Sequence, residues 1–468
     1  MRCDFHFQAC ASPGCQRFLV CLALLLATVP LLRAAEAIVP APEVELKSTD
    51  RILICAPHPD DEVLGCAGII QRAVALKIPC KIMFLTDGDD NELSFLVYRM
   101  HPVVLPRAAR RLGEVRHEEA LAAAKILGLP ANDLIFLGYP DFGTLKIWMS
   151  HWGDEPAYRS MLTRVTSVPY AHAFRRGAPY KGESILRDVT SVITNFQPTK
   201  LFVSHPADHH PDHRTLYLFT QTALWTLGWT DRVHVFPYLI HSPHWPALKG
   251  GHPSSALVPP ADLATAVPWK TFPLGPWQAD AKHKALQAHQ TQYKYSRNAL
   301  MAFVRANELF GDFPLLNTVA QPQLMNPPAD PPPPPHLNEA EARHFTGIDW
   351  QHASVSSSNL NLTFRLSRGL PELVEASIEV FGFKDGVPFE KMPKVRLVAS
   401  SRHHKWHNQS SLVADTSGFS VSLGDNAIGI QVPLVALGHP ARVLASGHTF
   451  REFMPLDWAE WRTIQIAP

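Results

Sequence analysis

Short β-rich runs alternate with helical stretches from Asp50 to about Leu239, and a chain with that rhythm has few options beyond an open, mostly parallel α/β sheet. The strand candidates are Arg51 to Cys55 (RILIC), Lys81 to Leu85 (KIMFL), Leu134 to Leu137 (LIFL), Lys200 to Ser204 (KLFVS) and Val233 to Tyr238 (VHVFPY). The best-defined helix runs from Glu114 to Leu127, with Gly128 at the C-cap position and Pro130 just beyond. The expected architecture is Rossmann-like, with helices on both faces of the sheet. Such sheets bind ligands beyond the carboxyl ends of their strands, so the residues after each strand are the first place to look for chemistry.

Those residues are unusually polar. After the first strand come Ala56-Pro57-His58-Pro59-Asp60-Asp61-Glu62, after the second Thr86-Asp87-Gly88-Asp89-Asp90, and after the third Gly138-Tyr139-Pro140-Asp141. The fourth is followed by His205-Pro206-Ala207-Asp208-His209-His210-Pro211-Asp212-His213. Residues 142 to 182, rich in aromatics, His and Arg without clear periodicity, read as a long loop over the site. Gln278 to Phe310 reads as one helix packed back on the sheet.

Asn326 to Pro335 (NPPADPPPPP) is a stiff polyproline spacer. Beyond it, short alternating strands such as Asn361 to Leu366, Val374 to Phe383, Gly418 to Leu423 and Ala427 to Val432 predict an all-β sandwich. The expected organisation is a leader at 1–37, a catalytic domain at 45–320, a linker at 322–335 and an accessory sandwich at 337–468, with the two domains folding independently. Trp458 and Trp461 suit either a sugar-stacking platform or the sandwich core.

Apolar residues make up 46% of the chain and charged ones 18%, enough for a substantial core. A net charge of +1 gives no global field for nucleic acid or an anionic membrane. Arg2 and Arg17 precede the apolar run Phe18 to Leu32, and Ala35-Glu36-Ala37 offers a small-x-small cleavage site. This reads as an export signal cut after Ala37, giving a secreted or periplasmic protein with no membrane span in the mature chain; the alternative reading is an uncleaved membrane anchor. Only Cys55, Cys66 and Cys80 follow the leader, which is no disulfide framework, and small buried hydrophobes are the expectation for them.

A catalytic zinc takes three ligands from His and carboxylate and keeps an open position for water. His58 and Asp61 stand three apart at a strand-to-helix junction, and His210 and His213 repeat that spacing after the fourth strand. Strand ends line up along one edge of a parallel sheet, so the two clusters can meet at one metal. Asp60 must point away from its neighbour Asp61, which suits a general base kept ionised by a helix start; alternatively the two aspartates form an N-cap pair.

These residues resemble a known family. Ala56-Pro57-His58-Pro59-Asp60-Asp61-Glu62 is similar to the AHPDDE signature of the PIG-L/LmbE zinc deacetylases, with one Pro inserted before the His, and His210-Pro211-Asp212-His213 to its HPDH signature. Arg116-His117-Glu118-Glu119-Ala120 with Leu127-Gly128 resembles the family's RxxEA helix, and Tyr139-Pro140-Asp141 the loop that follows. The resemblance covers about residues 50 to 310 and not the sandwich. It implies that His58, Asp61 and His213 bind Zn²⁺, that Asp60 is the base, and that His210, oriented by Asp212, is the cationic or proton-donating group. Arg116 and Asp141 fall where the family places polar substrate contacts, although Arg116 and Glu119 share a helix face and also suit an ion pair.

The implied activity is removal of an acetyl or other acyl group from the amine of an N-acetylglucosamine-type sugar or glycoconjugate by a secreted amidohydrolase. Two other readings are a zinc amidase acting on another amide conjugate and an inactive secreted glycan-binding protein whose sandwich does the binding. Every motif position needed for chemistry carries a competent residue, which favours an enzyme.

Overall fold

A computed structural model describes residues 43–89, 106–317, 323–324, 337–356, 358–452 and 454–466; the expected leader at 1–37 and the run of prolines lie outside them. Five parallel strands, β1 (Ile52–Ala56), β2 (Cys80–Thr86), β3 (Leu134–Tyr139), β4 (Lys200–Ser204) and β5 (His234–Tyr238), form a sheet in the order β3-β2-β1-β4-β5. Alternation along β1 sends Ile52, Ile54 and Ala56 into one core layer and Leu53 and Cys55 into the other. Helices cover both faces, so β1 and β4 are buried along their whole length, which is why they read as unbroken apolar runs.

The helices of this part are α1 (Asp61–Ala75), α2 (Pro106–Ile126), α3 (Thr144–Ser150), α4 (Gly182–Phe196) and α5 (Pro211–Leu227). α3 corrects the expectation of an irregular loop at 142–182: its buried face of Thr144, Ile147 and Trp148 gives a short helix something to pack on. The single helix expected at Gln278–Phe310 is two helices, Pro276–Ala288 and Gln290–Met301, followed by a strand at Asn307–Phe310. The break falls at His289, fully buried and 3.1 Å from the Glu62 carboxylate. Cys55, Cys66 and Cys80 are buried free thiols. Among the described residues no helix is long and apolar enough to cross a membrane.

The C-terminal part is two packed sheets of five and seven strands, antiparallel within themselves except where Leu316–Asn317 pairs parallel to Ile464–Gln465 of the last strand. Independent folding of the two parts does not fit what lies between them. Trp148, Trp152, Phe219 and Trp225 from the α/β part share one hydrophobic cluster with Phe381, Phe389, Met392 and Trp461 from the sandwich. Trp148 stacks on Phe389 at 5.3 Å, and residues 42–468 form one compact unit. Trp461 is therefore a core residue.

Candidate metal centre

The strand order runs one way from β1 through β2 to β3 and the other way through β4 to β5, so β1 and β4 flank the switch point where loops diverge and leave a crevice. The loop after β1 holds His58 and Asp60 and ends where α1 begins at Asp61. The loop after β4 ends at His210, the N-cap of α5, and His213 lies in that helix's first turn.

The two loops converge. Asp61 Oδ2 lies 3.2 Å from His58 Nδ1 and 3.1 Å from His213 Nε2. Each imidazole has carboxylate on its other nitrogen: His58 Nε2 is 3.0 Å from Asp141 and 3.2 Å from Asp212, and His213 Nδ1 is 3.0 Å from Asp208. All six residues are buried. Metal-ligating histidines have this second-partner arrangement, which fixes the ring and leaves the first nitrogen for the ion. Donor atoms of His58, His210 and His213, and of Asp61, His213 and His241, lie within 4.8 Å of one another, so the cluster can hold a metal ion. His210 approaches the same point, offering an atom within 4.8 Å of atoms of His58 and His213.

Opposite charges at close range dominate the electrostatics of the cluster. Burial opposes charge on His58, but Asp141, Asp212 and Asp61 hold its pKa well above the usual value. Burial likewise opposes charge on His213, yet Asp208 and Asp61 push it up to about 9. Burial works against ionised Asp61, and His213 and His58 still hold it well below the carboxylate range.

Asp60 sits beside this cluster with a φ of 127°, in the region non-glycine residues rarely adopt. Its backbone N–H donates to the Glu62 carboxylate at 2.9 Å, which His289 holds in turn. Burial raises the Asp60 pKa to about 7, and the nearby Arg116 guanidinium opposes that rise. The Arg116 guanidinium donates to the carbonyls of Pro59 and Gly88 at 2.6 and 3.2 Å and lies 3.5 Å from Asp60. It braces the loop from below, while Glu119 accepts from Thr291 rather than pairing with it.

Asp212 meets His210 through its backbone, whose N–H donates to His210 Nδ1 at 3.3 Å; the Asp212 carboxylate accepts from Phe142 N–H, Thr144 N–H and the Thr144 hydroxyl. Burial and the neighbouring His58 hold His210 well below its usual pKa, and with Nδ1 accepting from the Asp212 N–H its Nε2 is left to donate, in keeping with the proton-donating alternative. Asp141 lies against His58, giving the two flanking carboxylates a shared task.

Sequence reasoning passed over Asp208, Glu62, His241 and His289. His241, which contributes with Asp61 and His213 to a second group of atoms within 4.8 Å of one another, follows β5 just as the other clusters follow their strands. Asp208 accepts from the backbone N–H groups of His210, Ile240 and His241 at 2.9, 3.0 and 3.0 Å, so it ties together both loops beside His213. Asp208→Asn is expected to weaken metal affinity about 10–100-fold, the usual effect of losing a ligand's carboxylate partner, as read by competition with a chelator.

Residues 53–224 match the family model PIG-L, GlcNAc-PI de-N-acetylase. The chain is 23% identical over 300 residues to 1D-myo-inositol 2-acetamido-2-deoxy-alpha-D-glucopyranoside deacetylase of Rhodococcus jostii (strain RHA1), covering 59% of this chain and 89% of that one. To the protein of the same name from Nocardia farcinica (strain IFM 10152) it is 24% identical over 296 residues, covering 59% and 88%. Among solved structures, N,N'-diacetylchitobiose deacetylase from Pyrococcus horikoshii aligns over 65% of this chain and 94% of its own, at 17% identity and a TM-score of 0.34. Residues 53–224, which carry both loops of the metal cluster, are a domain of the PIG-L (GlcNAc-PI de-N-acetylase) family.

Proposed function

We propose that this chain is a zinc-dependent N-deacetylase, an amide hydrolase that frees the amine of an N-acetylglucosamine-type sugar or glycoconjugate, and that it works after export. The observation that carries the reading is the buried convergence of His58, Asp61 and His213 with Asp60 alongside. The names of the curated relatives support the substrate class, and the basic, apolar and Ala-x-Ala segments of the leader support export.

Zinc at His58, Asp61 and His213 would supply Lewis acidity and a water of lowered pKa. Asp60 accepts the proton of the attacking water and returns it to the departing amine. His210 spends Nδ1 on the Asp212 N–H, so its Nε2–H is the donor available to the oxygen on which charge develops. Asp141, Asp212 and Asp208 hold the two imidazoles in orientation.

Released acetate from a panel of N-acetylated amino sugars and non-sugar acyl amides tests this. Turnover should favour the amino sugars. Faster turnover of a non-sugar amide would move the assignment to another amidase, and no release from any member would leave a binding protein.

A further inference from the structure

We infer that the sandwich takes part in shaping the metal centre, through Trp458 and Arg214 as positioning residues; the inference rests on the metal site proposed above. Arg214 follows the ligand His213 in α5 and is only 4% exposed. A guanidinium at that depth needs compensation, because an isolated buried charge is costly. Its Nε has no hydrogen-bond partner among the described residues. What it has instead is the Trp458 ring, 4.1 Å from Cζ to the centroid, on the last strand of the sandwich. Arg214 lies in the same helical turn as His210, Asp212 and His213, its backbone N–H on the His210 carbonyl at 3.3 Å, and while burial works against its charge, Asp208 and Asp212 favour it. Those two carboxylates are the ones that back His213 and His58.

Trp458 is itself held in place. It stacks on His448 at 4.4 Å with 24° between the planes, and His448 Nδ1 lies 3.4 Å from Glu379 Oε2. Glu379 is 1% exposed and accepts from the Ser377 hydroxyl at 2.6 Å. A buried carboxylate inside an all-β sandwich has no part in amide hydrolysis, and here it anchors a column, Glu379, His448, Trp458, Arg214, that ends one residue from a metal ligand. The column also accounts for Trp458 without a sugar platform, since its ring is engaged by Arg214 and His448 within the protein.

The test uses the full chain and zinc itself, with affinity read by competition against a chromophoric chelator and folding read by Tm. Trp458→Ala should weaken zinc binding about tenfold, the lower end of what outer-shell changes do at metal sites. Trp458→Phe keeps an aromatic face and should restore it. Trp406→Ala, a cut in the core of the same sandwich away from the column, should lower Tm at least as much and leave zinc affinity at the wild-type level. If Trp458→Ala does not fold, Arg214→Lys, which keeps the charge and loses the planar stack, decides on the same scale. Wild-type zinc affinity in Trp458→Ala or in that replacement, or an equal loss in Trp406→Ala, overturns the inference. A wild-type chain that binds no zinc would instead sink the metal reading, and the inference with it.

Discussion

Asp60→Asn is expected to lower kcat/KM by about 10² to 10⁴ while leaving metal content near wild type, the signature of losing a general base without losing a ligand. The change is nearly isosteric, and the proposed ligands are His58, Asp61 and His213 rather than Asp60. The pH profile gives an independent check. Burial, with Asp61 and Glu62 adding to it, raises Asp60 to about 7, and a bound cation lowers it from there. A base works ionised, so wild-type kcat/KM should fall as pH drops through a value at or below about 7, and that acidic limb should flatten in the variant. Turnover near wild type would assign the base to another group.

A chain ended near Asn326 is expected to be insoluble or molten, against the independence that the proline run suggests. Trp148, Trp152, Phe219 and Trp225 would lose Phe381, Phe389, Met392 and Trp461 from their cluster. Large aromatics bury about 150–250 Å² each, so uncovering even a third of four of them costs on the order of 5 kcal/mol at about 25 cal/mol/Å². That is comparable to the whole stability of a typical domain, about 5–15 kcal/mol. The fully buried Lys394 is also part of this seam, with its ammonium 4.6 Å from the Trp152 ring centroid. Soluble yield and a thermal melt decide: a soluble truncation with a cooperative transition and bound metal would show that the sandwich is dispensable for folding.

The sheet was legible because strands buried on both faces must be continuous apolar runs, and the ends of its first and fourth strands carry dense His and Asp. The two ligand clusters could be joined on paper because parallel strand ends share an edge. What escaped was information that no local pattern carries. His289 breaks a helix to reach Glu62, 227 residues away in sequence, and nothing in its neighbourhood announces the partner. The Trp148 and Trp461 faces are each ordinary core signals, and only packing shows that they belong to one core. Asp208 lay inside the His-rich loop but was overshadowed by the motif that follows it.

The most direct test of the central claim is elemental analysis of the purified full chain beside His213→Ala, paired with acetate release before and after chelation. The account predicts about one zinc per wild-type chain, activity lost on chelation and restored by zinc, and neither metal nor activity in His213→Ala. Full metal retention in His213→Ala, or acetate release that survives removal of the metal, would contradict it.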